Sequence, residues 1–322
     1  MKKILTHTFT CIVFLTCFMH DALACDPCTL YNVSRLLGHE ENKYTISINE
    51  NFTKFKSIDE SLIPRDGQVG TNFSSTQVSL TYDIFNNAGV QFVLPVIYRN
   101  YDVYERFQGK SDSEFGLGDI ILNANYSPIN YKAGNWTVFS TIILGLKLPS
   151  GNTGSLREIK PDSDTNNELK HHNLSGAQGG RALSLGTGSI DYLAGITNLI
   201  LYDRFILMSN AQYSYRTEGS FDYEFGDDFL WSAGPGYYVH LGEDYSVALR
   251  AVLSGEHKRM DYLDNLPVSR SKISNLYLGP ELIIIYGKRM LFDLGFDYLI
   301  NDYKDSLIVP DFRIRSGIAY RF

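Results

Sequence analysis

Residues 289–322 read RMLFDLGFDYLINDYKDSLIVPDFRIRSGIAYRF. Within them Phe292, Leu294, Phe296, Tyr298 and Ile300 alternate with Asp293, Gly295, Asp297 and Asn301. That is a period of two with one apolar and one polar face, the mark of a strand with different surroundings on its two sides. The chain then ends on Phe322. Counting back by two gives Tyr320, Ile318, Ser316, Ile314 and Phe312. A terminal aromatic in phase with an apolar alternation resembles the C-terminal signature that outer-membrane barrels present to the assembly machinery, which makes Phe322, Tyr320 and Ile318 the expected assembly signal. A soluble β-sandwich also alternates, but it has no reason to close its chain on Phe in that phase.

Working back from the C-terminus, the same alternation recurs along the chain. Twelve strands are predicted, at 43–54, 75–85, 90–103, 117–127, 136–149, 187–201, 204–216, 227–240, 244–256, 272–286, 289–302 and 311–322. Short connections are expected at 86–89, 127–135, 202–203, 241–243 and 287–288, and long ones at 55–74, 104–116, 150–186, 217–226, 257–271 and 303–310. Short turns on one side and long loops on the other are the habit of a transmembrane antiparallel up-and-down β-barrel, and an even strand number puts both termini in the periplasm. The predicted lipid face carries Val78, Leu80, Tyr82 and Ile84; Val90, Phe92, Leu94, Val96 and Tyr98; Ile120, Leu122, Ala124 and Tyr126; and Trp136, Val138, Ile142, Leu144, Leu146 and Leu148.

Composition agrees. Of 322 residues 44% are hydrophobic, and 22 Tyr and 19 Phe make aromatics 13%. Yet no apolar run in the mature chain reaches the roughly 18 to 20 residues a spanning helix needs. The net charge of −7 excludes a general nucleic-acid binder. Residues 1–24 read as a signal peptide: Lys2 and Lys3, an apolar run from Thr8 to Met19, and Ala22-Leu23-Ala24 before the cut. Residues 25–42 form a periplasmic N-terminal segment, in which Leu30, Val33, Leu36 and Leu37 fall near helical spacing, and 43–322 the barrel. Cys25 and Cys28 then open the mature chain as Cys-Asp-Pro-Cys. In an oxidising compartment they are candidates for a small disulfide loop. Metal binding, a redox pair and acylation of Cys25 are the competing readings.

The polar face carries the candidate functional residues. Arg99, Lys147, Arg250, Glu281, Asp293, Asp297, Arg313 and Arg315 are predicted to line the lumen and set its field. Carboxylates on 272–286 and 289–302 lie beside arginines on 311–322, so cross-strand pairing is an equal reading of the same residues. The loop 150–186, with His171 and His172, either folds into the lumen as a constriction or stands outside. Catalytic readings are thin. No G-x-S-x-G elbow or cofactor fingerprint occurs, and the one grouping of nucleophile, base and acid is Ser254, His257, Glu256 and Asp261.

Two segments carry a family resemblance. Gly116-Leu117-Gly118-Asp119-Ile120 leads into Asn123, Asn125 and Tyr126, and Gly145-Leu146-Lys147-Leu148-Pro149-Ser150-Gly151 follows on the next strand. Together they resemble the outer-membrane transporter family linked to the meta-cleavage pathway of phenol degradation, in which such a strand ends Leu-Pro-Thr-Gly before a long loop. Ser150 departs from that pattern. The resemblance implies a barrel and, as an expectation, uptake of small, often aromatic or hydrophobic compounds. Two functions are therefore carried forward. One is a channel for a small solute, with outer-membrane lipids and the barrel assembly machinery as partners and no metal or cofactor. The other is a non-conducting barrel acting through its outer loops.

Overall fold

The structure is a computed structural model, and it describes residues 40–57, 70–105, 108–159, 183–268, 271–287, 289–302 and 308–322. The signal segment, Cys25, Cys28, the helical spacing in 29–39 and the His171–His172 pair lie outside the described residues. The strands are β1 (Lys43–Ser57), β2 (Gly70–Phe85), β3 (Ala88–Glu105), β4 (Gln108–Leu117), β5 (Ile121–Ala133), β6 (Trp136–Lys147), β7 (Asp191–Tyr202), β8 (Phe205–Tyr215), β9 (Tyr223–Glu224), β10 (Asp228–Leu241), β11 (Tyr245–Lys258), β12 (Tyr262–Leu263), β13 (Leu266–Pro267), β14 (Ile273–Tyr286), β15 (Met290–Asp302) and β16 (Ile308–Arg321).

Thirteen of them form one antiparallel sheet, closed because β1 pairs with both β16 and β2 while β2 also pairs with β3. β4 and β5 lie end to end along β3 and occupy one position, so the wall is twelve strands around. The backbones of Tyr44 and Phe322 exchange two hydrogen bonds (3.1 and 2.9 Å), so β1 starts and β16 ends at the same end of the barrel. The short connections, at 86–87, 134–135, 203–204, 242–244 and 287–289, lie at that end too. It is called the turn end below, and the opposite one the loop end.

The period-two reading survives strand by strand. Phe292, Leu294, Phe296, Tyr298 and Ile300 all point outward and are exposed, as are Leu80, Val90, Phe92, Leu122, Ile142 and Leu144. Their inward neighbours Gln77, Thr81, Gln91, Asn123, Asp297 and Arg315 are buried. Apolar residues exposed on every strand while polar ones are enclosed invert a soluble protein, and lipid is the solvent that makes this arrangement stable. Aromatic rings pair outward around the turn end: Tyr44 with Tyr82 (centroids 4.7 Å apart), Tyr44 with Phe322 (5.8 Å), Trp136 with Tyr202 (4.5 Å) and Phe205 with Tyr237 (5.2 Å). Rings of this kind settle at a membrane–water interface. Phe322, Tyr320 and Ile318 belong to this outward band. Glu50 lies on the outward face and accepts from Ser74 (2.6 Å) and Thr76 on the neighbouring strand.

Two expected connections are corrected. The short one at 127–135 is strand as far as Ala133, and the turn is Gly134-Asn135 alone. A bulge between Tyr126 and Ile129 breaks the alternation there. Pro128 sits in it, where its missing N–H removes no ladder bond that matters. The long loop expected at 104–116 contains β4, paired to β3 from Val96↔Leu117 outward. Its sequence, QGKSDSEFGL, is too polar to show an apolar face, because this hairpin extends the wall at the loop end.

Candidate functional site: the barrel lumen

The arginines and carboxylates of β11, β14, β15 and β16 meet inside the barrel. Register explains this: Arg250 lies opposite Glu281, Glu281 opposite Gly295, and Gly295 opposite Arg315. Arg315 is 1% exposed. Its Nε and Nη2 donate to both oxygens of Asp297 (2.8 and 2.9 Å), a bidentate fork, and its Nη1 donates to Glu281 (2.9 Å). The other oxygen of Glu281 accepts from Arg250. One step toward the loop end Arg313 pairs with Glu256, donates to the Tyr277 hydroxyl (2.6 Å) and lies 3.9 Å over its ring. Glycines leave room for these flat guanidiniums. A Cβ at Gly236 would stand 2.2 Å from Arg250 Cγ, and one at Gly295 2.8 Å from Arg315 Nη2.

Five of the eight predicted lumen residues therefore form one lattice: Arg250, Glu281, Asp297, Arg313 and Arg315. Asp293 lines the same wall nearer the turn end, opposite Gly317. Arg99 stands apart on β3, its guanidinium 5.2 Å from the centre of the Phe73 ring. Lys147 ends β6 in a second buried cluster, 2.8 Å from Asp191 and 3.6 Å from Asp119. In that cluster Arg216 joins Asp191 (3.5 Å) to Asp228. Sequence reasoning gave no lumen role to Glu256 or Tyr277, although both share the parity of Arg250 and Glu281.

The two resemblance-bearing segments turn out to be one structural device. Asp119 accepts from the backbone N–H of Gly151 (2.8 Å), and from the N–H (2.8 Å) and hydroxyl (2.9 Å) of Thr187. It thus ties down both ends of the 148–190 connection at once. Ser150 closes the join: its hydroxyl accepts from Ile120 N–H (2.8 Å) and lies 3.2 Å from Gly118 O, to which it donates. A Thr would carry the same hydroxyl, so the departure from Leu-Pro-Thr-Gly preserves the function of the position. Gly151 is required by close approach, since a Cβ there would stand 2.8 Å from Leu185 O and from Gly186 Cα.

Beyond the clamp the loops build a cap with its own small core of Leu156, Tyr223 and Phe225, with Phe221, Leu263 and Val268 packed against it. A three-stranded sheet of β9, β12 and β13 frames it. Asp261 fastens it to the wall, pairing with Lys258 (2.6 Å) and accepting from Tyr223 OH (2.7 Å) and Gly226 N–H (2.8 Å). Glu224 on β9 is half-buried. Desolvation first, then the charges of Asp227 and Glu218, hold its carboxyl above the usual range. An acid with a raised folded pKa binds its proton more tightly in the folded cap. The stability it contributes is therefore fully present below its ordinary unfolded pKa and is lost as pH rises through the folded value. The cap is expected to be better protected against proteolysis at pH 5 than at pH 8, and Glu224→Gln to flatten that difference. An unchanged pH profile in the variant would discard this role for Glu224.

Uncharged groups complete the lumen. On β1 to β6 a ladder of amides and hydroxyls runs from strand to strand. Ser47 meets Ser79 (2.6 Å), Gln91 donates to Thr81 (3.0 Å), Asn123 donates to Gln91 (3.0 Å), and Ser127 meets Thr141 (2.8 Å). Apolar residues also face inward. Val93, Ile121 and Leu193 cluster at mid-height. Ile206, Met208, Ala248, Ile283, Leu291 and Ala319 cluster toward the turn end, with Leu199, Leu201, Tyr238 and Ile285 against them.

The Ser-His-acid grouping is not assembled. Ser254 and Glu256 share the inward parity of Arg250, whereas His257 is on the outward parity and its Nδ1 lies 2.9 Å from the Ser274 hydroxyl. Alternation along one strand puts adjacent residues on opposite faces. Among the described residues no group of three or more potential metal ligands occurs.

No family model and no curated protein matches this sequence. The fold has solved counterparts. A crystal structure of an outer-membrane channel from Pseudomonas putida F1 superposes with a TM-score of 0.56 at 13% identity, over 93% of this chain and 100% of that one. The translocator domain of the autotransporter NalP from Neisseria meningitidis gives 0.44 at 11% identity, over 90% and 92%. A mutant of the monoaromatic hydrocarbon channel TodX gives 0.44 at 10% identity, over 94% and 96%. At such identities the likeness is one of fold. The first superposition, taken with the apolar outer belt, gives the fold of a Gram-negative outer-membrane β-barrel.

Proposed function

We propose that this barrel is a channel for small solutes that carry an apolar, often aromatic part. One observation supports this above others. Inward-facing apolar residues form two clusters, one of Val93, Ile121 and Leu193 and a larger one of Ile206, Met208, Ala248, Ile283, Leu291 and Ala319 with Leu199 and Leu201 against it. A wall that only had to hold water would have no use for such clusters, whereas a path for a partly apolar solute needs them. In this reading the turn end faces the periplasm, as short turns do in such barrels, and the cap stands outside. The lattice around Arg315 sets the field that a passing solute crosses. Uptake of compounds fed into aromatic breakdown, as the family resemblance implies, fits the same clusters.

The test is a planar-bilayer recording of the purified protein, joined to liposome swelling. Discrete openings together with faster swelling for solutes bearing a ring are expected. A folded barrel that never conducts and swells no vesicle would overturn the reading.

A further inference from the structure

We infer that the preferred solute is neutral and two-faced: a flat apolar ring joined to a hydroxyl- or amide-bearing edge, in place of a bare hydrocarbon or an anion. The inference rests on the channel reading above and names its substrate class. It follows from how the lumen is divided around its circumference near the turn end. One half of the wall, β7 to β16, presents the apolar arc of Leu199, Ile206, Met208, Ile283 and Leu291. The other half, β1 to β6, presents the ladder of Ser47, Ser79, Thr81, Gln91, Asn123 and Ser127. The strand order sets these two halves against each other across the closed wall.

Each half excludes something. A hydrocarbon on the arc would offer nothing to the unmet side-chain oxygens of Asn125 and Asn51, and a buried polar group without a hydrogen bond loses roughly 1–3 kcal/mol. An anion meets a ladder whose neighbouring cations are already engaged: Arg321 faces Asp83 (3.9 Å) and Glu40 (3.8 Å), and Lys147 pairs with Asp191 (2.8 Å) and Asp119 (3.6 Å). The lattice higher up gives an anion no purchase either, since Arg250, Arg313 and Arg315 are matched by Glu256, Glu281 and Asp297. A neutral solute with a ring and hydroxyls satisfies both halves together.

A second observation points the same way. Buried polar atoms with no hydrogen-bond partner remain on the lumen wall: Asn125 Oδ1 beside the ladder, Thr197 Oγ1 on β7, and both side-chain atoms of Asn51. Asn125 and Asn51 are each less than a tenth exposed, as is Thr197. Two acceptors and an amide that the protein itself leaves unmet are what a solute bearing O–H groups would find along this wall.

The experiment is swelling of proteoliposomes carrying the full protein, with three probes: phenyl β-glucoside, methyl β-glucoside and sodium benzenesulfonate. The first has ring and hydroxyls, the second hydroxyls alone, the third a ring and a charge. The expected result inverts size order, with phenyl glucoside entering faster than the smaller methyl glucoside and benzenesulfonate slowest. Gln91→Leu with Asn123→Leu should lower the phenyl glucoside rate at least fivefold relative to the methyl glucoside rate. Asn125→Leu removes an acceptor that holds nothing in the protein, so it should slow the same probe without disturbing the fold, as judged by heat-modifiable gel mobility. Rates that follow size, or equal rates for phenyl glucoside and benzenesulfonate, would overturn this inference and leave the channel standing. Vesicles that admit no probe, with no conductance, would overturn the channel and this inference together.

Discussion

Replacing Asp119 with alanine is expected to release the 148–190 connection from the barrel while leaving the wall intact. Asp119 is 5% exposed and is met by Lys147, by two backbone N–H groups and by the Thr187 hydroxyl. Removing one member of a buried ion pair typically costs about 3–5 kcal/mol, because the partner keeps its charge and loses its compensation. Here the loss falls on the loop more than on the barrel. Lys147 retains Asp191 at 2.8 Å, and no strand-pairing bond of the barrel runs through Asp119. Limited proteolysis should therefore cut Asp119→Ala between Ser150 and Thr187 at least tenfold faster than the parent. Heat-modifiable gel mobility should persist, and single-channel conductance should rise. Ser150→Thr keeps the hydroxyl and should behave as the parent, whereas Ser150→Ala loses two hydrogen bonds and should fall between. Equal cleavage rates in parent and Asp119→Ala would show that the clamp does not hold the loop.

The clamp also shows where the sequence was legible and where it stopped being so. Gly118-Asp119 and Pro149-Ser150-Gly151 stand out as motifs, but one-dimensional spacing cannot say that residues about thirty apart touch. Only the β5–β6 register, Ile121↔Lys147, brings them together. The wall was readable because alternation is local: the outward residues of β15 can be named from their spacing alone, and the lattice follows once β14, β15 and β16 are known to be neighbours. It failed where local signals conflict. In β4 the apolar alternation is confined to Phe115 and Leu117 at its end, so the sequence before them does not mark a strand, and the bulge at Ser127-Pro128 makes β5 look finished six residues early. The apolar arc in the lumen was invisible for a further reason. Ile206, Ile283 and Leu291 lie on strands whose outward faces are apolar as well, so a rule of apolar outside and polar inside assigns them no place. His257 shows the reverse case. A cluster of suitable residue types within four positions is divided by the pleat into two faces that cannot cooperate.

The second large effect is expected at Arg315, which three charge-assisted hydrogen bonds hold between Asp297 and Glu281. Arg315→Gln leaves Asp297 buried without its bidentate partner and Glu281 with Arg250 alone. Loss of about 3–5 kcal/mol of stability follows from the same argument as for Asp119, read as a lower urea midpoint. Arg315→Lys should recover only part of it, because a single ammonium cannot reproduce the fork. Asp297→Asn together with Arg315→Gln should cost clearly less than the two single changes added, since the pair is removed as a unit. The same substitution bears on transport. The lattice holds three arginines against Glu256, Glu281 and Asp297, and removing one cation makes the lumen field more negative. The reversal potential in a KCl gradient should shift toward cation selectivity in Arg315→Gln, and further when Arg313 is neutralised as well. If stability falls as stated while selectivity stays constant in both variants, the lattice holds the wall together and permeating ions do not pass it.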